Sequence, residues 1–170
     1  MKKKIRIVIV ILLSVVIGFL AYKITIKLQH KTAVAERIKT LPTFSFTTTE
    51  GAVYTDKDLP NKPVIFVYFN SDCEYCKSEA TKIQERLVDF KNTYLVFVSF
   101  EETASIVQFA KTYQLDNKEN ITFLEDRKGE FSKLFDVNSI PYTVVYNKNR
   151  KLLQKFKGAT KIDNILKVLK

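Results

Sequence analysis

Cys73 and Cys76 are the only cysteines of this 170-residue chain, and they stand two residues apart in "YFNSDCEYCKSEA". Thiols at that spacing can hold a metal ion, staple a small loop, or cycle between dithiol and disulfide. A structural zinc site draws on four ligands, commonly two such pairs or a pair plus two histidines. Here the single histidine, His30, lies far upstream in a basic stretch that reads as exposed linker, so no metal is expected. A purely structural disulfide across so short a loop restricts the unfolded chain only modestly. Redox cycling has a mechanism at this spacing. Cys73 falls where an apolar run gives way to a helical pattern, with Ser71 or Asp72 available as N-cap. Free N–H groups and the positive end of the helix dipole would stabilise its thiolate. Cys76, one turn in, is then the more buried thiol that resolves a mixed disulfide.

That reading requires a strand before the pair and a helix after it. "PVIFVYF" (63–69) is a continuous β-branched and aromatic run, the mark of a strand buried on both faces. Beyond the cysteines Ala80, Ile83, Leu87 and Phe90 recur at helical spacing. "TYLVFVSF" (93–100) predicts a second buried strand, and Ile106, Phe109, Ala110 and Tyr113 a second amphipathic helix. "TFSFTT" and "GAVYT" predict a hairpin through Glu50-Gly51. "ITFLE" predicts a short strand, and Phe131, Leu134 and Phe135 a third helix. "PYTVVYN" and "KLLQKF" are strands joined by a turn over 147–150, and Ile162, Ile165, Leu166 and Leu169 line a terminal helix. Strands alternating with helices give an α/β sandwich on a mixed sheet.

The formal charge of +10 is unevenly spread. Residues 1–40 carry nine Lys/Arg against one acid, Glu36, whereas residues 41–170 carry nineteen against seventeen. A nearly neutral body without a basic cluster excludes a nucleic-acid-binding surface. The positive charge instead brackets an uncharged apolar run, Ile7 to Tyr22, preceded by Lys2, Lys3, Lys4 and Arg6. At ~1.5 Å per residue the run is slightly short of a ~30 Å hydrocarbon core, and flanking residues can snorkel. Ala33-Val34-Ala35 resembles a signal-cleavage site, but Lys23, Lys27 and Lys31 separate it from the run. An uncleaved signal anchor is therefore expected. The expected organisation is a cytoplasmic N-terminus over 1–6, a transmembrane helix over 7–22, a linker over 23–40 and a folded domain over 41–170. The Lys2–Arg6 group favours a cytoplasmic start, which puts the cysteines outside, where disulfide chemistry is at home.

The order of elements and motifs over residues 41–170 resembles the thioredoxin-like fold. In particular it resembles the membrane-tethered TlpA/ResA-type thiol–disulfide oxidoreductases. The likeness rests on the hairpin after "LPTF", on "KPVIFVYF", the Cys pair, "SIPYTVVYN" and Gly158. It implies that Ile140-Pro141 is the family's cis-proline loop, with the Ile140 backbone pairing with substrate beside the disulfide. It also implies that Glu79, three residues after Cys76, handles the proton of that cysteine; otherwise Glu79 is a solvated helix carboxylate. Client proteins bearing disulfides or thiols and a membrane-bound electron donor follow as partners, with no cofactor.

Two departures bear on direction. Asp72 stands where the family usually has tryptophan, and the carboxylate that thioredoxins keep on the central strand is replaced by Val67. Asp72 and Glu74 flank Cys73 and would both oppose its thiolate, and a less stabilised thiolate gives a less oxidising disulfide. The expectation is a protein-disulfide reductase on the outer face of a bacterial cytoplasmic membrane. A non-catalytic thioredoxin-like binding or redox-sensing module is the alternative.

Overall fold

The computed structural model describes residues 2–169. The chain divides into two compact units, Met1–Glu36 and Arg37–Lys170. The first belongs to one helix, α1 (Lys2–Ile38). No proline interrupts this stretch, and Gly18 is its one glycine, so nothing in the sequence breaks the helix. Ile11, Leu12, Leu13, Val15, Ile17 and Phe19 point in all directions around it and are all exposed. A helix apolar on every side is made for hydrocarbon rather than water. Ile11–Ile38 is long and apolar enough to cross a membrane, with a mean hydropathy of 2.0 over its apolar 18-residue window. The stretch from residue 23, expected to be a linker, stays helical to Ile38.

The second unit begins at Arg37, a few residues before the expected Leu41. A seven-stranded mixed sheet forms its centre, in the order β2-β1-β5-β4-β3-β6-β7. These strands are β1 (Ser45–Thr48), β2 (Val53–Thr55), β3 (Val64–Tyr68), β4 (Tyr94–Ser99), β5 (Ile121–Glu125), β6 (Tyr142–Tyr146) and β7 (Leu152–Lys157). β3, β4 and β5 run parallel, and the rest pair antiparallel. Crossovers between parallel strands need helices, supplied by α2 (Glu74–Glu85) and α3 (Thr103–Thr112). α4 (Glu130–Phe135) leads into β6, and α5 (Ile162–Val168) follows β7.

β3 is buried along its whole length, so alternate side chains fill two different cores. Ile65, Val67 and Phe69 join Cys76, Ala80, Ile83, Phe97 and Phe109 in one cluster. Phe66 faces the other way, its ring 5.6–6.3 Å from those of Phe44, Phe131, Phe135 and Tyr146. The expected helix from Ala80 to Phe90 is shorter than its spacing suggests. It ends at Glu85, Arg86 adopts φ −118° and ψ 26°, and Leu87–Phe90 close a 3-10 turn.

Candidate functional site

β3 ends at Tyr68, and Phe69 still donates its N–H to the Val98 carbonyl at 3.0 Å. The chain then turns sharply. The Asn70 carbonyl accepts the Cys73 N–H at 3.2 Å, and the Asn70 side-chain oxygen accepts the Asp72 N–H at 2.9 Å. α2 starts at once, with Cys73 itself as N-cap rather than Ser71 or Asp72. The Cys73 sulfur accepts the Cys76 N–H at 3.4 Å, doing what a serine or aspartate oxygen does at other helix starts. Cys73 is half-buried and Cys76 buried, both as free thiols. The Ile140 carbonyl oxygen lies 4.0 Å from the Cys73 sulfur, and the Ile140-Pro141 bond is cis.

Two of the anticipated charges behave differently from each other. The Glu74 carboxylate is 83% exposed and paired with Lys77 at 2.7 Å, so its field at Cys73 is weakened by water and by a cation. Asp72 makes no such close pair among the described residues, although the Lys77 ammonium lies within reach of its field.

Behind Cys73 the site is buried. Burial pushes the Cys76 thiol well above its ordinary range, and the hydrogen bond with Cys73 adds to this. The negative charges of Cys73 and Glu79 raise it further, against a backbone N–H of Asn70. Glu79 is 2% exposed, which removes the reading of a solvated helix carboxylate. Its Oε1 accepts the Thr143 hydroxyl at 3.0 Å. Its Oε2 is the one buried side-chain oxygen or nitrogen, among the described residues, without a hydrogen-bond partner. Burial pushes the carboxyl up to about 7, against the Thr143 hydrogen bond and the charge of Lys82.

Register explains why Thr143 is there. It pairs directly with Val67 across β3 and β6, and directly opposed residues share a face of the sheet. Val67 belongs to the core cluster that contains Cys76. A hydroxyl inside the apolar run "YTVVY" is the sequence signal that would have found Thr143. Gly158 also serves the site. At φ 73° it favours glycine, and its N–H donates to the Pro141 carbonyl at 2.8 Å, tying β7 to the loop beside Cys73. An open groove of about 600 Å³ starts at Ile140, floored by Tyr68, Phe100 and Val137 and edged by Lys128.

Cys73, Cys76, Glu79, Ile140 and Pro141 thus lie together at one end of the sheet. The arrangement offers a half-exposed sulfur at a helix N-terminus, a buried thiol one turn behind, and a buried carboxyl whose charge reaches that thiol. Comparisons with known proteins agree with this chemistry. The model of the AhpC/TSA family matches residues 38–155. The thiol–disulfide oxidoreductase ResA of Bacillus cereus is 26% identical over 168 residues, covering 97% of this chain and 93% of its own. The ResA of Bacillus thuringiensis is 25% identical over the same coverage. Among solved structures, a secreted disulfide oxidoreductase of Mycobacterium tuberculosis superposes with a TM-score of 0.64 at 20% identity, covering 78% of this chain and 96% of that one. The fold is also that of a peroxidoxin, BcpB, from the same organism, with a TM-score of 0.66 at 18% identity over 76% of this chain and 92% of that one. The chain belongs to the AhpC/TSA family, and within it is similar to the ResA-type thiol–disulfide oxidoreductases.

Proposed function

We propose that this protein is a membrane-anchored, extracytoplasmic thiol–disulfide oxidoreductase that reduces disulfides of client proteins through Cys73 and Cys76. The observation that carries the proposal is the asymmetry of the pair. One sulfur is accessible at the start of α2, and the other is buried within the field of Glu79, where burial raises its thiol pKa. In the first step the Cys73 thiolate attacks a client disulfide. One client sulfur departs as thiolate, and Cys73 is left in a mixed disulfide with the other. Glu79 then takes the proton of Cys76, whose thiolate attacks the Cys73 sulfur. The second client sulfur leaves with its electron pair and is protonated from Glu79 or water. Two electrons have passed to the client, and Cys73 and Cys76 are joined. A membrane-bound dithiol donor would return them to the reduced state. The Ile140 backbone and Pro141 would hold the client chain alongside Cys73, with the groove beyond Ile140 receiving the residues next to the client cysteine.

The reducing direction is our reading of the two acids, Asp72 and Glu74, that flank Cys73 in the sequence, since a less stabilised thiolate would make the disulfide a weaker oxidant. Such a couple belongs nearer thioredoxin at about −270 mV than DsbA at about −120 mV. For the anchor, residues 1–6 would lie in the cytoplasm, 7–22 in the bilayer, and 23–40 would link it to the domain outside. The chemistry is tested by trapping. Cys76→Ser should accumulate mixed disulfides with client proteins, and Cys73→Ser should not, while the wild-type chain reduces insulin. Trapping by the Cys73 variant alone would reverse the two roles, and an inactive wild-type chain would leave a binding or sensing module.

A further inference from the structure

The turn that delivers Cys73 is held from outside by one residue. Glu101, just past the end of β4, directs both carboxylate oxygens at Ser71. Its Oε2 accepts the Ser71 N–H at 2.7 Å, and its Oε1 accepts the Ser71 hydroxyl at 2.6 Å. Ser99, fully buried at the end of β4, fixes the carboxylate in turn. Its hydroxyl donates to Glu101 Oε2 at 3.0 Å and accepts the Glu101 N–H at 3.2 Å. The amides of Asp72 and Cys73 are both satisfied by Asn70, within the turn itself. Glu101 is therefore the distant group that ties this turn to the sheet, through hydrogen bonds strengthened by its charge. Two residues later the Cys73 sulfur must meet the Cys76 N–H and the Ile140 carbonyl together.

We infer that Glu101 is a positioning residue for Cys73: its clamp on Ser71 sets where the sulfur stands against the first turn of α2 and the Ile140 carbonyl. The inference rests on Cys73 being the attacking thiol. The charge of Glu101 opposes a nearby thiolate, whereas its geometry favours one, and the two effects separate by substitution. Glu101→Gln removes the charge but keeps the clamp, since its oxygen accepts the Ser71 N–H and its amide donates to the Ser71 hydroxyl. Glu101→Ala removes both. Ser71→Ala removes one leg.

The test uses the full-length chain in detergent. Alkylation of Cys73 by iodoacetamide is timed in the Cys76→Ser background, and the reduction potential is measured in the two-cysteine chain. Glu101→Ala is expected to slow alkylation about fivefold or more, the factor that one lost hydrogen bond represents. It should also move the couple to a more negative potential, because the thiolate of the reduced form loses its support. Glu101→Gln should stay within about twofold of wild type, and Ser71→Ala should fall between the two. A purely structural role would lower the melting temperature of Glu101→Ala and leave its rate and potential unchanged, which overturns the inference. Glu101→Gln falling as far as Glu101→Ala also overturns it, since charge would then be the cause. Where Glu101→Ala does not fold, Ser71→Ala decides, and a wild-type rate and potential in that variant overturn the clamp. Should the Cys76→Ser chain trap no client while the expected order of rates holds, the clamp stands and the client-exchange reading falls.

Discussion

Below about pH 7 Glu79 holds its proton, because α2 buries it against β6 with one hydroxyl for two oxygens. Its ordinary value of 4.5 is pushed up to about 7, so the folded chain favours the neutral acid. The cost of burying the carboxylate is absent below about pH 4 and grows as pH rises through about 7. Fold stability should therefore fall across that window by about 3 kcal/mol. Glu79→Gln keeps the shape and cannot ionise, so its stability should be flat there. Urea unfolding of the reduced, detergent-solubilised chain at pH 5 and pH 8 checks this. The same variant should slow resolution of the mixed disulfide and remove the inflection near pH 7 from the rate profile. A wild-type slope in both measurements would return Glu79 to a passive structural role.

At the scale of elements, α4 shows how a six-residue helix is held without length. Asp126, buried ahead of it, takes the Glu130 N–H at 2.9 Å and the Phe131 N–H at 2.8 Å on its two oxygens. Burial raises the Asp126 carboxyl, and those two N–H groups oppose the rise. At the other end the Arg37 guanidinium donates to the Lys133 and Leu134 carbonyls, where a cation complements the helix dipole. Between them Phe131 is fully buried, its ring 4.4–6.4 Å from those of Phe46, Phe66, Tyr68 and Phe135. Phe131→Ala should cost about 3–5 kcal/mol in urea unfolding. A loss below about 1 kcal/mol would make α4 a loosely seated cover rather than part of the core. The helix itself was legible from Phe131, Leu134 and Phe135, as β3 and β4 were from their apolar runs, because periodicity reports which face is buried. Caps and clamps were not. Leu87 and Phe90 keep a helical spacing that a 3-10 turn shares, so the end of α2 left no trace. Ser71 and Asp72 have the composition of an N-cap, yet Cys73 takes that place, and Glu101 and Asn70 claim their amides instead. Glu101 is thirty residues from Ser71, beyond any local pattern. The cysteine pair, Glu79 and Pro141 were readable because their chemistry is tied to short motifs.

For the whole molecule, the two units call for different solvents. The domain hides most of its large apolar side chains in two cores, one on each face of the sheet. The helix of the other unit displays Ile11, Leu12, Leu13, Val15, Ile17 and Phe19, each more than half exposed. Burying one such side chain is worth about 1.5–3 kcal/mol, so those six together are comparable to the whole stability of a typical domain. A bilayer would satisfy this helix, with every backbone group already paired. Basic residues sit at both ends of the run from Ile7 to Tyr22, where their ammonium groups can reach the lipid headgroups. A helix that enters the membrane this way and is not cut stays through alkaline carbonate washing, which strips proteins held by charge alone. The intact chain is thus expected in the carbonate-washed pellet, with the cysteine domain open to protease from the outer face of spheroplasts. A soluble mature form beginning near Glu36 would show instead that the helix is a removed signal. Protection of the domain until the membrane is lysed would place Cys73 and Cys76 in the cytoplasm.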